Sequence, residues 1–364
     1  MSQPLSDRTK SHLFSVVKRL FQENKGILAL DQSERHFNVK FNAYCLENNP
    51  HNRARYREIF ITANPKFTKA ISGVVFSREG FYQRTKDGRL FTDILRSYKI
   101  AVGVRMDGPK SIDDDFEKRN VIIDLDTLPK RLNALKISGC DFTKAQMRLN
   151  MSQFTPELAR KHAELLSLFA AFCQKVAIVP VIVIVGVYKG DHTLERCKQV
   201  LSSSLCILKA TLFQHNVYIK GTVIALQWVT KGVDCPTEYT ITQMAEATHD
   251  ILITNIVPAM YGIMFLSSTG EEKLTTEVLN EIVKLNLTNK WRISFIFSRA
   301  VQASALDIWH GRDDRLAYAQ NEFLKRIRAN YLALQGNYHD FLMLKNPYTA
   351  PEPGHHYDDL FDDD

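Results

Sequence analysis

Short, nearly unbroken apolar runs alternate along the chain with longer stretches in which apolar residues recur every three or four positions. The runs cover 26–31, 71–76, 100–106, 140–147, 177–187, 222–228, 261–267 and 292–298. Each has strand length, and they predict eight strands. Ile178-Val179-Pro180-Val181-Ile182-Val183-Ile184-Val185 is apolar at every position. That is the pattern of a parallel strand buried on both faces. Leu13, Val17, Leu20 and Phe21 share a helical face, with Gly26 expected to end that helix. Thr155-Pro156-Glu157-Leu158 predicts a helix start, Thr capping and Pro in the first turn, running to about Lys175. Eight strands alternating with helices predict an α/β fold, a (β/α)8 TIM barrel with an N-terminal helix. No low-complexity linker divides residues 1–346, so they are expected to form the barrel alone. Residues 347–364 are rich in Pro, His and Asp and predict a mobile acidic tail.

Composition narrows the class. The 364 residues are 45% hydrophobic and 24% charged, which excludes a disordered chain or a rod. The longest apolar run, 176–188, is too short for a bilayer. The first eight residues hold no apolar signal core, so a cytoplasmic protein without a membrane partner is expected. Cysteines 45, 140, 173, 197, 206 and 235 form no C-x-x-C and no zinc spacing, and predict reduced structural thiols. The net charge of +7 conceals a split. Glu352 and Asp358, Asp359, Asp362, Asp363 and Asp364 leave the last nineteen residues at −6, and the body at +13. So basic a body either serves solubility alone or suits anionic partners such as phosphates and acidic filaments. No zinc-finger, RNP or basic-zipper signature points to nucleic acid.

Several segments together are more specific than the pattern. They are Lys25-Gly26-Ile27-Leu28-Ala29 with Asp31 and Ser33, Gly139-Cys140-Asp141-Phe142-Thr143-Lys144, Ile178-Val179-Pro180, and Gly190-Asp191-His192. Gly221-Thr222 with Val229-Thr230, Gly262 with Phe265-Leu266-Ser267, and Ser298-Arg299-Ala300-Val301-Gln302-Ala303-Ser304-Ala305-Leu306 complete the set. Over roughly residues 10–340 the chain resembles the class I fructose-1,6-bisphosphate aldolases. The resemblance implies cleavage of the sugar bisphosphate into two triose phosphates. A lysine on the sixth strand forms an imine that serves as electron sink, and carboxylates on the first and fifth strands move protons. It also implies a tetramer, surfaces for actin or microtubule-associated assemblies, and no metal or other cofactor.

Carried over residue by residue, the resemblance places the imine lysine at Ala225, which has no amine. The two fifth-strand glutamates fall on Val183 and Val185, and a fourth-strand arginine on Gln146. The third-strand lysine is Arg105. Retained are Asp31, Lys144 and Asp107. For the phosphates the resemblance assigns Ser267 and Arg299 to one site, with Ser268 where the family has glycine. Ser33 and the basic pair Lys40 and Arg105 serve the other. Loss of the lysine alone would strand two buried carboxylates, at about 3–5 kcal/mol. Loss of all three leaves an ordinary core.

These substitutions predict a catalytically degenerate aldolase-like protein with a binding or structural role, cytoplasmic or on the cytoskeleton. The alternatives are an active glycolytic aldolase, Schiff-base chemistry moved to Lys144, or a phosphosugar-binding regulator. Asp31 and Lys144 also resemble the first-strand aspartate and fourth-strand lysine of transaldolases, but a structural ion pair is the favoured expectation. His192 is expected to be structural, His36 a solvated loop residue, and His355-His356 part of the polar tail rather than metal ligands.

Overall fold

The computed structural model describes residues 4–107, 123–187, 189–267, 271–286 and 291–339. The expected tail at 347–364, with its two histidines, and Ser268 lie outside these residues. Strands β1 (Gly26–Leu30), β2 (Ile71–Phe76), β3 (Ala101–Arg105), β4 (Phe142–Leu149), β5 (Val179–Gly186), β6 (Val223–Gln227), β7 (Gly262–Leu266) and β8 (Arg292–Phe297) close a parallel barrel in sequence order. The strands come from the eight apolar runs. β4 continues two residues beyond the run that predicted it, to Leu149, which brings Arg148 onto the strand.

Helices fill the connections. They are α1 (Asp7–Leu20), α2 (Glu34–Asn42), α3 (Pro50–Ile61), α4 (Arg78–Phe81), α5 (Phe91–Ser97) and α6 (Leu128–Ile137). They continue with α7 (Pro156–Lys175), α8 (Leu194–Gln214), α9 (Ile241–Asn255), α10 (Glu272–Asn286), α11 (Arg299–Trp309) and α12 (Leu316–Ala333). Thr155 caps α7 as its sequence requires, its hydroxyl accepting from Leu158 N at 3.2 Å. α1 ends earlier than its pattern implied. Its last intrahelical bonds close at Phe21, and Gly26 is the first residue of β1. Gly26 is fixed by packing: a Cβ there would lie 2.4 Å from the Phe295 ring.

Two cores follow from the strand alternation. Residues pointing outward from the strands pack beneath the helices. Those pointing inward, including Ile27, Ala29, Val75, Phe142, Val181, Val183, Val223, Ala225 and Met264, fill the barrel. Phe142 enters because Gly103 lies opposite it, and a Cβ on Gly103 would meet the ring at 2.3 Å. Leu13, Val16, Val17 and Leu20, spaced along one face of α1, join the same interior cluster and close the end where the strands begin. The other end stays polar and forms the mouth. Among the described residues no helix is long and apolar enough to cross a membrane.

Candidate functional site

Four charges alternate near the C-terminal ends of the first strands. Lys144 on β4 is in register with Arg105 on β3, so two cations stand side by side. Each has its own carboxylate. Lys144 Nζ donates to Asp31 Oδ2 at 2.6 Å, and both side chains are buried. Arg105 donates through Nη2 and Nε to Asp107 Oδ2, at 2.7 and 3.1 Å. Asp107 Oδ1 is buried without a hydrogen-bond partner. Burial alone would raise the Asp31 carboxyl, but Lys144, and after it Arg105, outweigh that and hold it below the usual carboxylate range. Burial opposes the charge on Arg105 in the same way, and Asp107 and Asp31 reverse this and raise it.

The neighbouring floor is apolar. Ala225 on β6 is fully buried, in register with Val183 on one side and Met264 on the other. Gln146 on β4 faces Val183, and the next inward step pairs Arg148 with Val185 at the rim. Val183 belongs to the interior cluster and Val185 is only half-buried. No inward position of β5 carries a carboxylate, and no inward position of β6 an amine.

The phosphate candidates lie at the rim. Ser33 caps α2, with its hydroxyl 2.8 Å from His36 Nδ1. His36 is thus a first-turn residue of α2 and not part of a loop. The residue is solvent-exposed, as expected; partial desolvation of its ring, with the Arg105 and Arg148 charges nearby, pushes its imidazole down to about 4. Lys40, on the same helix, donates to Tyr56 at 3.2 Å. Burial, reinforced by Arg299, pushes its amine down to about 8. Lys40 and Arg105, expected as a basic pair, therefore have different partners: one stands with Tyr56 and Arg299, the other is drawn to Asp107. Arg299 is exposed as the first residue of α11, and Thr275 donates to the Ser267 hydroxyl at 3.3 Å.

Beneath Lys40 runs a network that the sequence did not disclose. Tyr56 donates to Gln302 Oε1 at 2.7 Å, and Gln302 Nε2 to the Ala29 carbonyl at 2.8 Å. Gln32 Nε2 reaches Gln302 Oε1 at 2.8 Å and Ser298 at 2.7 Å, leaving Gln32 Oε1 buried and unpartnered. Gln32 and Arg148 were missed. The signal for Arg148 was its two-residue step beyond Lys144 and Gln146; for Gln32 there was only its place beside Asp31. His192 belongs to a loop clasp. Its carbonyl accepts from Gly232 N at 2.8 Å, and Gly190's carbonyl accepts from Asp234 N at 3.0 Å. Among the described residues no group of three His, Cys, Asp or Glu converges as a metal site.

A barrel with a charged mouth and this strand order has known counterparts. The family model for class I fructose-bisphosphate aldolase matches residues 12–348. The chain belongs to that family. It is 34% identical over 337 residues to fructose-bisphosphate aldolase C-A of Danio rerio, covering 92% of this chain and 93% of the relative. It is 34% identical to human fructose-bisphosphate aldolase C, covering 92% of each. The aldolase of Plasmodium falciparum, solved with TRAP and a small-molecule inhibitor, superposes with a TM-score of 0.87. That match has 28% identity and covers 93% of this chain and 98% of that one. In this aldolase-family barrel the mouth joins two closed ion pairs to a cationic rim above an apolar floor. Such a surface can hold an anion by charge-assisted hydrogen bonds. Its β6 wall offers no nucleophile.

Proposed function

We propose that this aldolase-family chain binds sugar phosphate at the mouth without cleaving it, and acts as a binding or structural protein. The observation that carries this is Ala225, fully buried between Val183 and Met264 where the family resemblance puts the imine lysine. An imine needs an amine, and cleavage through it needs groups to move protons. Removing a covalent nucleophile costs about 10⁶ in kcat, too much for positioning alone to replace. The phosphate contacts are assigned to Arg299, Ser267 and Ser268 on one side, and to Ser33, Lys40 and Arg105 on the other. In this reading residues 1–346 form the barrel and residues 347–364 are a separate acidic tail. Homo-tetramers and association with actin or microtubule assemblies in the cytoplasm belong to the same reading. The Plasmodium aldolase solved with TRAP supports protein partnership on this scaffold.

A coupled triose-phosphate assay on the pure protein tests the reading. The expected result is no cleavage of fructose 1,6-bisphosphate, with weak calorimetric binding that Arg299→Ala abolishes. A kcat of about 1–10³ s⁻¹ would make the chain an ordinary aldolase. A second chemistry has one observation in its favour: the buried Lys144 amine stands 2.6 Å from a carboxylate. Borohydride trapping with dihydroxyacetone phosphate, followed by peptide mapping, is expected to find no adduct at Lys144.

A further inference from the structure

We propose that the ligand held at the mouth is a compact phosphate ester of an apolar alcohol rather than of a polyol. This deepens the sugar-phosphate reading and rests on its phosphate contacts. The observation is a division of the mouth into two arcs. The barrel closes in sequence order, so its cations follow one another around the rim. Arg299 comes after β8, Lys40 lies on the helix after β1, and Arg105 and Arg148 stand on β3 and β4. β5, β6 and β7 make up the other arc, and alternate residues on each point inward. Their last two inward steps are Val183 and Val185, Ala225 and Gln227, and Met264 and Leu266. Gln227 is the one polar side chain among the six.

Gln227 is committed elsewhere. Its Oε1 accepts from Gly186 N at 2.8 Å, its Nε2 lies 3.8 Å from Cys197 Sγ, and the residue is buried. The deeper step of Val183, Ala225 and Met264 is fully buried, so it is packing rather than surface. Val185 and Leu266 are half-buried, and Leu266 packs against the interior cluster. What these two add to the mouth is hydrocarbon. The polar groups all lie on the other arc. There Asp31 is closed on Lys144 and Asp107 on Arg105. Among the described strand residues, the Gln146 amide and the unpartnered Asp107 Oδ1 can serve a hydroxyl on that side.

The two halves of a phosphate ester meet this mouth differently. The phosphate is held by charge-assisted hydrogen bonds to the cationic arc. The body of the ester lies against β5 and β7. A hydroxyll-free body gains there by covering Val185 and Leu266. A polyol body brings hydroxyls that leave water and find no partner on that side, which cancels the gain. The same geometry limits the size of the alcohol. Val183, Ala225 and Met264 fill the barrel below, and α1 closes its far end. No channel there receives a long acyl chain, so the body lies across the mouth.

The test is calorimetry on the full chain with hexane-1,6-diol bisphosphate and D-glucitol 1,6-bisphosphate. The two share chain length and phosphates, neither has a carbonyl, and they differ only in the hydroxyls of the body. The hexanediol ester should bind about tenfold more tightly, inside the roughly 100-fold by which an apolar wall rejects an added hydroxyl. Arg299→Ala should abolish binding of both, which places them on the same phosphate contacts. Val185→Thr keeps the side-chain shape and adds a hydroxyl; it should narrow the preference to about threefold or less. Val185→Ala keeps the wall apolar and should retain the preference. Equal affinities, or a preference for the glucitol ester, overturn the proposal and leave the phosphate reading standing. No binding of either ester overturns the phosphate reading and this inference with it. Hexanediol-ester binding that survives Arg299→Ala, or a preference that Val185→Thr leaves unchanged, overturns the inference alone. Lengthening a monoester from hexyl to dodecyl phosphate should gain less than about threefold; a gain with every added methylene would assign the site to a lipid phosphate.

Discussion

A carboxylate as buried as Asp31 is tolerable only because an amine 2.6 Å away and a neighbouring guanidinium neutralise it. Lys144→Met should therefore destabilise the fold by about 3–5 kcal/mol, since it strands that charge. Asp31→Asn combined with Lys144→Met should recover most of the loss, and urea denaturation measures both. The pH sign follows from the lowered Asp31 carboxyl. Its stabilisation is complete above the unfolded carboxylate value, about 3.9, and fades as pH falls through the lower folded value. The gap between wild type and Lys144→Met should thus narrow in acid; a constant gap would mean that the methionine merely packs badly. Lys40 behaves in the opposite sense. With its amine pushed down to about 8, the mouth loses that positive charge between about pH 7 and pH 9. Sugar-phosphate affinity should fall across that interval, and Lys40→Met should flatten the profile in calorimetry. A steep profile in the variant would assign the titration elsewhere.

At the scale of elements, β5 and β6 determine what the barrel floor can do. Val183 and Ala225 lie side by side, both fully buried, so a longer side chain at 225 must displace packed neighbours. Ala225→Lys alone should produce no cleavage and should cost more than about 3 kcal/mol, from overpacking and an unpaired amine. Cleavage by that single variant would show that the two valines of β5 matter less than argued. The extension of β4 to Leu149 acts on the mouth in the same way. It sets Arg148 opposite Val185, adding to the rim a cation that a strand ending at Met147 would have left in a loop.

For the whole molecule, the barrel separates its two ends by an apolar interior. The mouth holds its cations above closed ion pairs, and α1 plugs the opposite end. The plug is part of the fold: Leu13 is fully buried with the barrel interior. Leu13→Ala should cost about 2–5 kcal/mol in thermal or chemical unfolding while leaving the mouth chemistry unchanged. A loss under about 1 kcal/mol would mean that α1 rests on the barrel without sealing it.

Strand order, the parallel sheet and the capped helix at Thr155 were determined by sequence alone. Apolar runs of strand length need both faces covered, and a Thr-Pro start satisfies the free amides of a helix locally. The residue types at 183, 185 and 225 were equally legible, because an alanine has no amine in any fold. Partnership was decided by tertiary structure. Lys40 and Arg105, which the resemblance assigns to the same phosphate, have different neighbours in the fold: Asp107 accepts from Arg105, and Tyr56 with Arg299 surrounds Lys40. The Gln32–Gln302–Tyr56 network joins β1, α3 and α11 across 270 and 246 residues of sequence separation, beyond any local pattern. The cations that precede seven of the eight strands, or open them, stand in the sequence as isolated lysines and one arginine. Only closure of eight parallel strands brought them to one face, because a charge acts over about 8 Å in physiological salt, not along the chain.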